Sequence, residues 1–180
     1  VDPFDQPNVE ASKNATRSVL VDYQPASRPD FVDGGIRGWG TRGPDLTSAI
    51  DQVISGLDAE GYIALCCYLD RWTLHGIENV STELSDRIQR PVSFGWGPRY
   101  LHSTGQFHKG GPQTGSFIHV SARTDVDLPV VHQNFTWGQL LESQVRGDAR
   151  VLRGMGRTVL RLELSDLQED LPRLLAALRG

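Results

Sequence analysis

Residues 62–69 read YIALCCYL, an apolar run that no charge interrupts before Asp70. A strand with one face in water alternates apolar and polar residues. An unbroken apolar run of this length instead marks a strand covered on both faces, as in a parallel sheet held between layers of helices. The run is far shorter than the roughly 20 apolar residues that span a bilayer, and no other stretch of the chain approaches that length. Cys66 and Cys67 are the only cysteines. Neighbours on a strand point to opposite faces, so the pair is expected as two small core residues of a reducing compartment, not as a disulfide.

Three further strands are expected around this one: residues 92–96 (VSFGW), 115–121 (GSFIHVS) and 158–164 (TVLRLEL). Helical signals separate them. Pro7 and Asn8 open a helix to about Val21. Asp45 caps a second helix, with Ile50, Val53, Ile54 and Leu57 on its apolar side. Leu74, Ile77, Val80 or Ser81, Leu84 and Ile88 recur at helical spacing until Pro91 stops them. Thr136 and Gln139 fit a capping box before a helix through about Val145. Asp148 opens a separate helix ending at Gly154 or Gly156. Asp166 starts the last helix, with Leu171, Leu174, Leu175 and Leu178 inward. Residues 23–44 are rich in Gly and Pro and read as a long loop with a small hairpin around 31–39.

This alternation predicts a single α/β domain over 1–180, a three-layer α/β/α sandwich with a mainly parallel sheet. Ligands of such sheets sit beyond the carboxyl ends of the strands. The net charge of −4, with 22% charged residues, argues against a nucleic-acid or membrane-surface partner, which needs a basic face. No basic-then-apolar leader is recognisable, and a cytoplasmic protein is expected. The chain starts at Val1 on a motif-like segment, so it is expected to be the C-terminal piece of a longer protein.

Residues 94–114, FGWGPRYLHSTGQFHKGGPQT, stand apart. Gly95, Gly97, Gly105, Gly110 and Gly111 read as a loop whose backbone approaches a ligand closely. Arg99, His102, Gln106, His108 and Lys109 supply donors and, in the histidines, proton transfer near neutral pH. On the first helix, Lys13 borders the apolar stripe of Val9 and Leu20 and lies two turns from Gln6. A lysine there either snorkels to water or serves a cleft. His102, His108 and His119 lack the spacing of a metal site, and neither metal nor cofactor is expected. The glycine-rich residues 34–43 lack the order of a dinucleotide or phosphate loop, although Arg37 and Arg42 could assist a phosphate. There is no nucleophile elbow.

The segments DPFDQPNVEASK (2–13), FGWGPRYLHSTGQFHKGGPQTGSF (94–117), DLPVVHQNFTWGQL (127–140) and GDARVLRGMGRTVLRLEL (147–164) resemble the C-terminal part of phosphoglucose isomerases, especially the bifunctional transaldolase type. The resemblance covers nearly the whole chain and is weak at 23–45. It implies a sugar-isomerase (SIS) domain and interconversion of glucose 6-phosphate and fructose 6-phosphate through ring opening and a cis-enediol. It also implies an upstream SIS domain of the same protein as partner, and a homodimer. By this resemblance Lys13 is catalytic, Gln6 touches substrate and Glu10 is structural or orienting. His108, in a His-x-Gly context, is the ring-opening histidine, with His102 as runner-up. Arg99, His102, Gln106 and Lys109 are expected at the substrate. The family's general base, a Glu in an ESxGK segment, has no counterpart in these residues, nor does its phosphate loop. The chain alone is therefore expected to be inactive. The alternative is a non-catalytic SIS-like module that binds a sugar phosphate.

Overall fold

The structure, a computed structural model, describes residues 7–21, 23, 26–124 and 126–180. Six strands form one sheet: β1 (Phe31–Asp33), β2 (Ile36–Trp39), β3 (Tyr62–Tyr68), β4 (Val92–Trp96), β5 (Gly115–Ala122) and β6 (Thr158–Leu164). Their spatial order is β1-β2-β6-β5-β3-β4. β4, β3, β5 and β6 run parallel, and the hairpin β1–β2 adds to β6 in the antiparallel sense. Six α-helices are present among the described residues: α1 (Pro7–Val21), which stacks on other helices, and α2 (Leu46–Ser55), α3 (Val80–Ile88), α4 (Thr104–Gly110), α5 (Trp137–Gly154) and α6 (Leu167–Arg179). This is the expected α/β/α sandwich with a mainly parallel sheet.

Pleating divides the core in two. On one face Ile63, Leu65, Cys67, Ile118, Val120, Leu160, Leu162 and Leu164 meet α2, α3 and α6. On the other, Ala64, Cys66, Tyr68, Phe117 and Val159 meet Val145, Ala149 and Leu152 of α5 and Tyr100 of the segment after β4. Cys66 and Cys67 fall on opposite faces and remain free thiols. Burial pushes the Cys66 thiol well up and that of Cys67 to about 12, so neither is a thiolate nucleophile.

Several helix ends follow the sequence signals. Asp45 accepts from Ser48 N at 2.8 Å, Thr136 and Gln139 form the reciprocal capping box, and Asp166 accepts from the first turn of α6. Three expectations need correction. The run from Leu74 becomes turns and a single 3-10 turn (Ile77–Asn79) before α3, because Gly76, at φ +83°, interrupts it. Residues 95–114 are not a loop throughout: a 3-10 turn (Arg99–His102) and α4 occupy most of them. So short a helix is marginal by itself and depends on tertiary anchors. Finally, α5 runs unbroken through Gly147 and Asp148, where two helices were expected.

β5 lies inside the sheet with helices on both faces, and Ile118 is fully buried. Ile118→Ala is expected to cost about 2–5 kcal/mol, measured by urea denaturation as a lower midpoint with an unchanged slope.

Candidate functional site

α1 stacks chiefly on α5 and α4. The approach to α5 is close because position 147 is glycine. A methyl group there would lie 2.9 Å from the backbone nitrogen and 2.9 Å from the hydroxyl of Thr16. Beside this contact α1, α5 and the turn after β4 enclose a cavity of about 380 Å³. Lys13, Thr16, Arg17 and Leu20 line it from α1. Arg99, Leu101 and His102, with Pro98, line it from the turn, and Leu140 and Gln144 from α5. Lys13 also pairs with Glu10 at 2.7 Å, and its side chain remains half exposed. Arg99 and His102 are exposed and hold no ion pair among the described residues.

Lys13, Arg99 and His102, three residues singled out in the sequence, thus share one cavity. The others that the structure describes do not join them. Gln6 lies outside the described residues. Gln106 does not line the cavity, and its amide nitrogen is buried without a hydrogen-bond partner. His108 is buried, its ring packed against Tyr62, Tyr100 and Phe117. Burial drives its pKa down to about 4, so at neutral pH it is an uncharged core residue. Lys109 is buried too and forms an ion pair with Asp148 at 2.6 Å. His108 and Lys109 were expected at the ligand because a glycine-rich stretch suggested an open loop. α4 instead turns both side chains into the core.

Asp148 is the residue that the sequence reading missed as a contact. It sits fully buried on the sheet side of α5. Besides Lys109, its carboxylate accepts from the Tyr100 hydroxyl at 2.5 Å, and the Nε2 of His119 lies 3.4 Å away. With its own hydrogen on Asp148, Tyr100 accepts from the hydroxyl of Tyr68 at 3.0 Å. Burial lowers the His119 pKa to about 4, so the ring beside the carboxylate is uncharged at neutral pH. Burial alone would lift the Asp148 carboxyl. The His119 imidazole, the Lys109 ammonium and the Tyr100 hydroxyl outweigh it and hold the group below the ordinary carboxylate value. Arg157 fastens the far end of α4 by donating to the carbonyls of Gly111, at 2.8 Å, and Pro112.

A larger cavity of about 650 Å³ opens where β5 and β6 end, lined among others by Arg28, Arg37, Arg123, Asp127, Glu142 and Glu163. Its carboxylates are already engaged. Arg37 pairs with Glu163 at 3.1 Å, Tyr23 donates to Glu142, and Thr136 donates to Asp127. Arg37 lines this cavity, whereas Arg42 does not. None of the described residues expected at the ligand from the resemblance lines it. Among the described residues no cluster of His, Cys, Asp and Glu could hold a metal ion, and no helix is long and apolar enough to cross a membrane.

No family model matches the chain, and no curated protein matches it in sequence. Among solved structures it is similar to the crystal structure of hypothetical protein TT0462 from Thermus thermophilus. The TM-score is 0.65 at 14% identity, over 97% of this chain and 43% of that one. The chain therefore spans less than half of that protein's length, and the likeness is one of fold: a mostly parallel six-stranded sheet between helices.

Two expected outcomes follow from this geometry. Unfolded, His108 and His119 take up protons near 6.5; folded, only near 4. Stability should be level above pH 6.5 and decline as the pH falls from there toward 4, with a slope of up to roughly 1.4 kcal/mol per pH unit for each group. Denaturation at a series of pH values measures this, and His108→Phe should remove about half of the slope. Gly147→Ala should destabilise the protein although alanine is the better helix former by about 1 kcal/mol. Faster amide exchange across α1 would show the lost contact, and a raised melting temperature would contradict it.

Proposed function

We propose that the cavity between α1, α5 and the Arg99–His102 turn is one wall of a sugar-phosphate isomerase site of the phosphoglucose isomerase type. The observation that supports this reading is the meeting of Lys13 with Arg99 and His102 at a single cavity of about 380 Å³. The three come from parts of the chain far apart in sequence. They bring two cationic side chains and one imidazole to the same cavity.

In this reading, glucose 6-phosphate and fructose 6-phosphate interconvert. Ring opening needs a proton removed from the anomeric hydroxyl and one delivered to the ring oxygen. His102 takes this role in place of His108, which is neutral and enclosed in the core. Lys13, across the cavity, stabilises the negative oxygen of the enediolate, and Arg99 adds positive charge for an anionic substrate. The transfer between C1 and C2 calls for a carboxylate base, and none is among the residues that line the cavity. The resemblance assigns that base to an ESxGK segment, absent from these 180 residues. The reading therefore includes a partner SIS domain that supplies it, and binding is the measurement suited to this chain.

Titration with fructose 6-phosphate, followed by NMR, is expected to shift the signals of Lys13, Arg99 and His102. Fructose and inorganic phosphate serve as controls. Lys13→Ala and His102→Ala should each weaken binding, whereas His108→Phe should not. No shift with the sugar phosphate, or shifts confined to Arg28 and Arg123, would overturn the proposal. In an enzyme that also contains the base-bearing domain, His102→Ala should lower kcat on the cyclic substrate by about 10²–10⁴-fold.

A further inference from the structure

Two successive residues of α5 hold the two walls of the cavity. Gly147 lets the backbone of α1 at Ala15 and Thr16 approach closely. Asp148 reaches the other way, to Tyr100 in the 3-10 turn and to Lys109 in the last turn of α4. Tyr100 stands between Arg99 and His102 in sequence. The turn closes on it, since the Ser103 amide donates to the Tyr100 carbonyl at 3.0 Å. Tyr100 is 3% exposed, while its neighbour Arg99 is exposed. The phenol is thus a peg driven into the core, and the cavity-lining side chains are carried by its backbone.

Holding a short segment to a helix does not require charge. Apolar side chains of similar volume often do as well as a buried ion pair, or better. What a carboxylate facing an ammonium, a phenol and an imidazole adds is one permitted arrangement, since displacing any of them strands a dry polar group. We propose that Asp148 is a positioning residue of the cavity. It fixes the Arg99–His102 turn against α5 while Gly147 fixes α1, so that a single turn of α5 sets the separation of His102 from Lys13. The mechanical part of this proposal stands by itself; its consequence for ligand binding rests on the sugar-phosphate reading above.

The test uses the 180-residue chain with two readouts: amide hydrogen exchange across residues 99–110, and affinity for fructose 6-phosphate by NMR titration. Tyr100→Phe removes one hydroxyl and keeps the ring. It is expected to speed exchange in the turn while β3 and β5 keep their protection, and to weaken binding by about 10- to 100-fold. The double substitution Lys109→Met with Asp148→Asn replaces the ion pair by neutral groups but retains an acceptor for Tyr100. It should keep the protection of the turn and most of the affinity. Asp148→Ala should lose both. Should that variant fail to fold, the other two still decide. Wild-type exchange in the turn of Tyr100→Phe overturns the proposal whether or not the ligand binds. A loosened turn with unchanged affinity overturns the positioning role. A loosened turn in a protein whose wild type does not bind fructose 6-phosphate sustains the mechanical proposal and removes the sugar-phosphate reading.

Discussion

A carboxylate with no solvent exposure must be met by polar partners wherever it sits, and among the described residues the Asp148 carboxylate faces partners on three separate elements. Lys109 comes from α4, Tyr100 from the turn after β4, and His119 from the middle of β5. Removing one partner of a buried pair typically costs about 3–5 kcal/mol, so these elements are bound to one another through a single residue of α5. The segment between β4 and β5 is otherwise held by Arg157 at its far end and by aromatic packing. Its helix is seven residues long, below the length at which helices hold by themselves. The aromatic packing of Tyr62, Tyr100, His108 and Phe117 fills the space around the charges and keeps water from them.

The sheet was legible in the sequence because its strands obey simple rules. Tyr62–Tyr68 is apolar on both faces since helices cover both, while β5 and β6 keep an apolar face toward α2, α3 and α6. Caps at Asp45, Thr136 and Asp166 gave the helix starts, since unsatisfied backbone N–H groups demand such side chains. Even the small hairpin inside residues 23–44 was visible between its turn residues.

What was not legible depends on contacts distant in the chain. Asp148 looks like a helix-starting residue, and only the arrival of Lys109 and Tyr100 from elsewhere makes it tolerable within a buried helix. Gly147 looks like a break, yet it serves as the contact point for α1. In the stretch from Gly95 to Thr114 glycines and polar groups suggested a loop open to a ligand. Which of its side chains face outward was decided by the ion pair and by Arg157. Hence Lys13, Arg99 and His102, chosen for their chemistry, meet at one cavity, whereas His108, the histidine that the resemblance favoured, and Lys109 are buried away from it. The motif resemblance pointed to one segment without separating its outward from its inward histidine, His102 from His108, since burial is decided by packing and not by the motif.

The position of α1 outside the three layers has a thermodynamic consequence. It rests chiefly on α5 and α4, so its detachment need not disturb any strand pairing. Such an outer helix is a natural unit of local opening, with a free energy below that of global unfolding. The cavity has a wall only while α1 is docked. Any ligand held there would bind a fraction of the molecules, and its apparent dissociation constant would be the intrinsic one divided by that fraction. Occupancy and helix docking are then two readings of the same equilibrium. Anything that presses α1 onto α5, including a neighbouring protein surface, tightens the cavity without touching it.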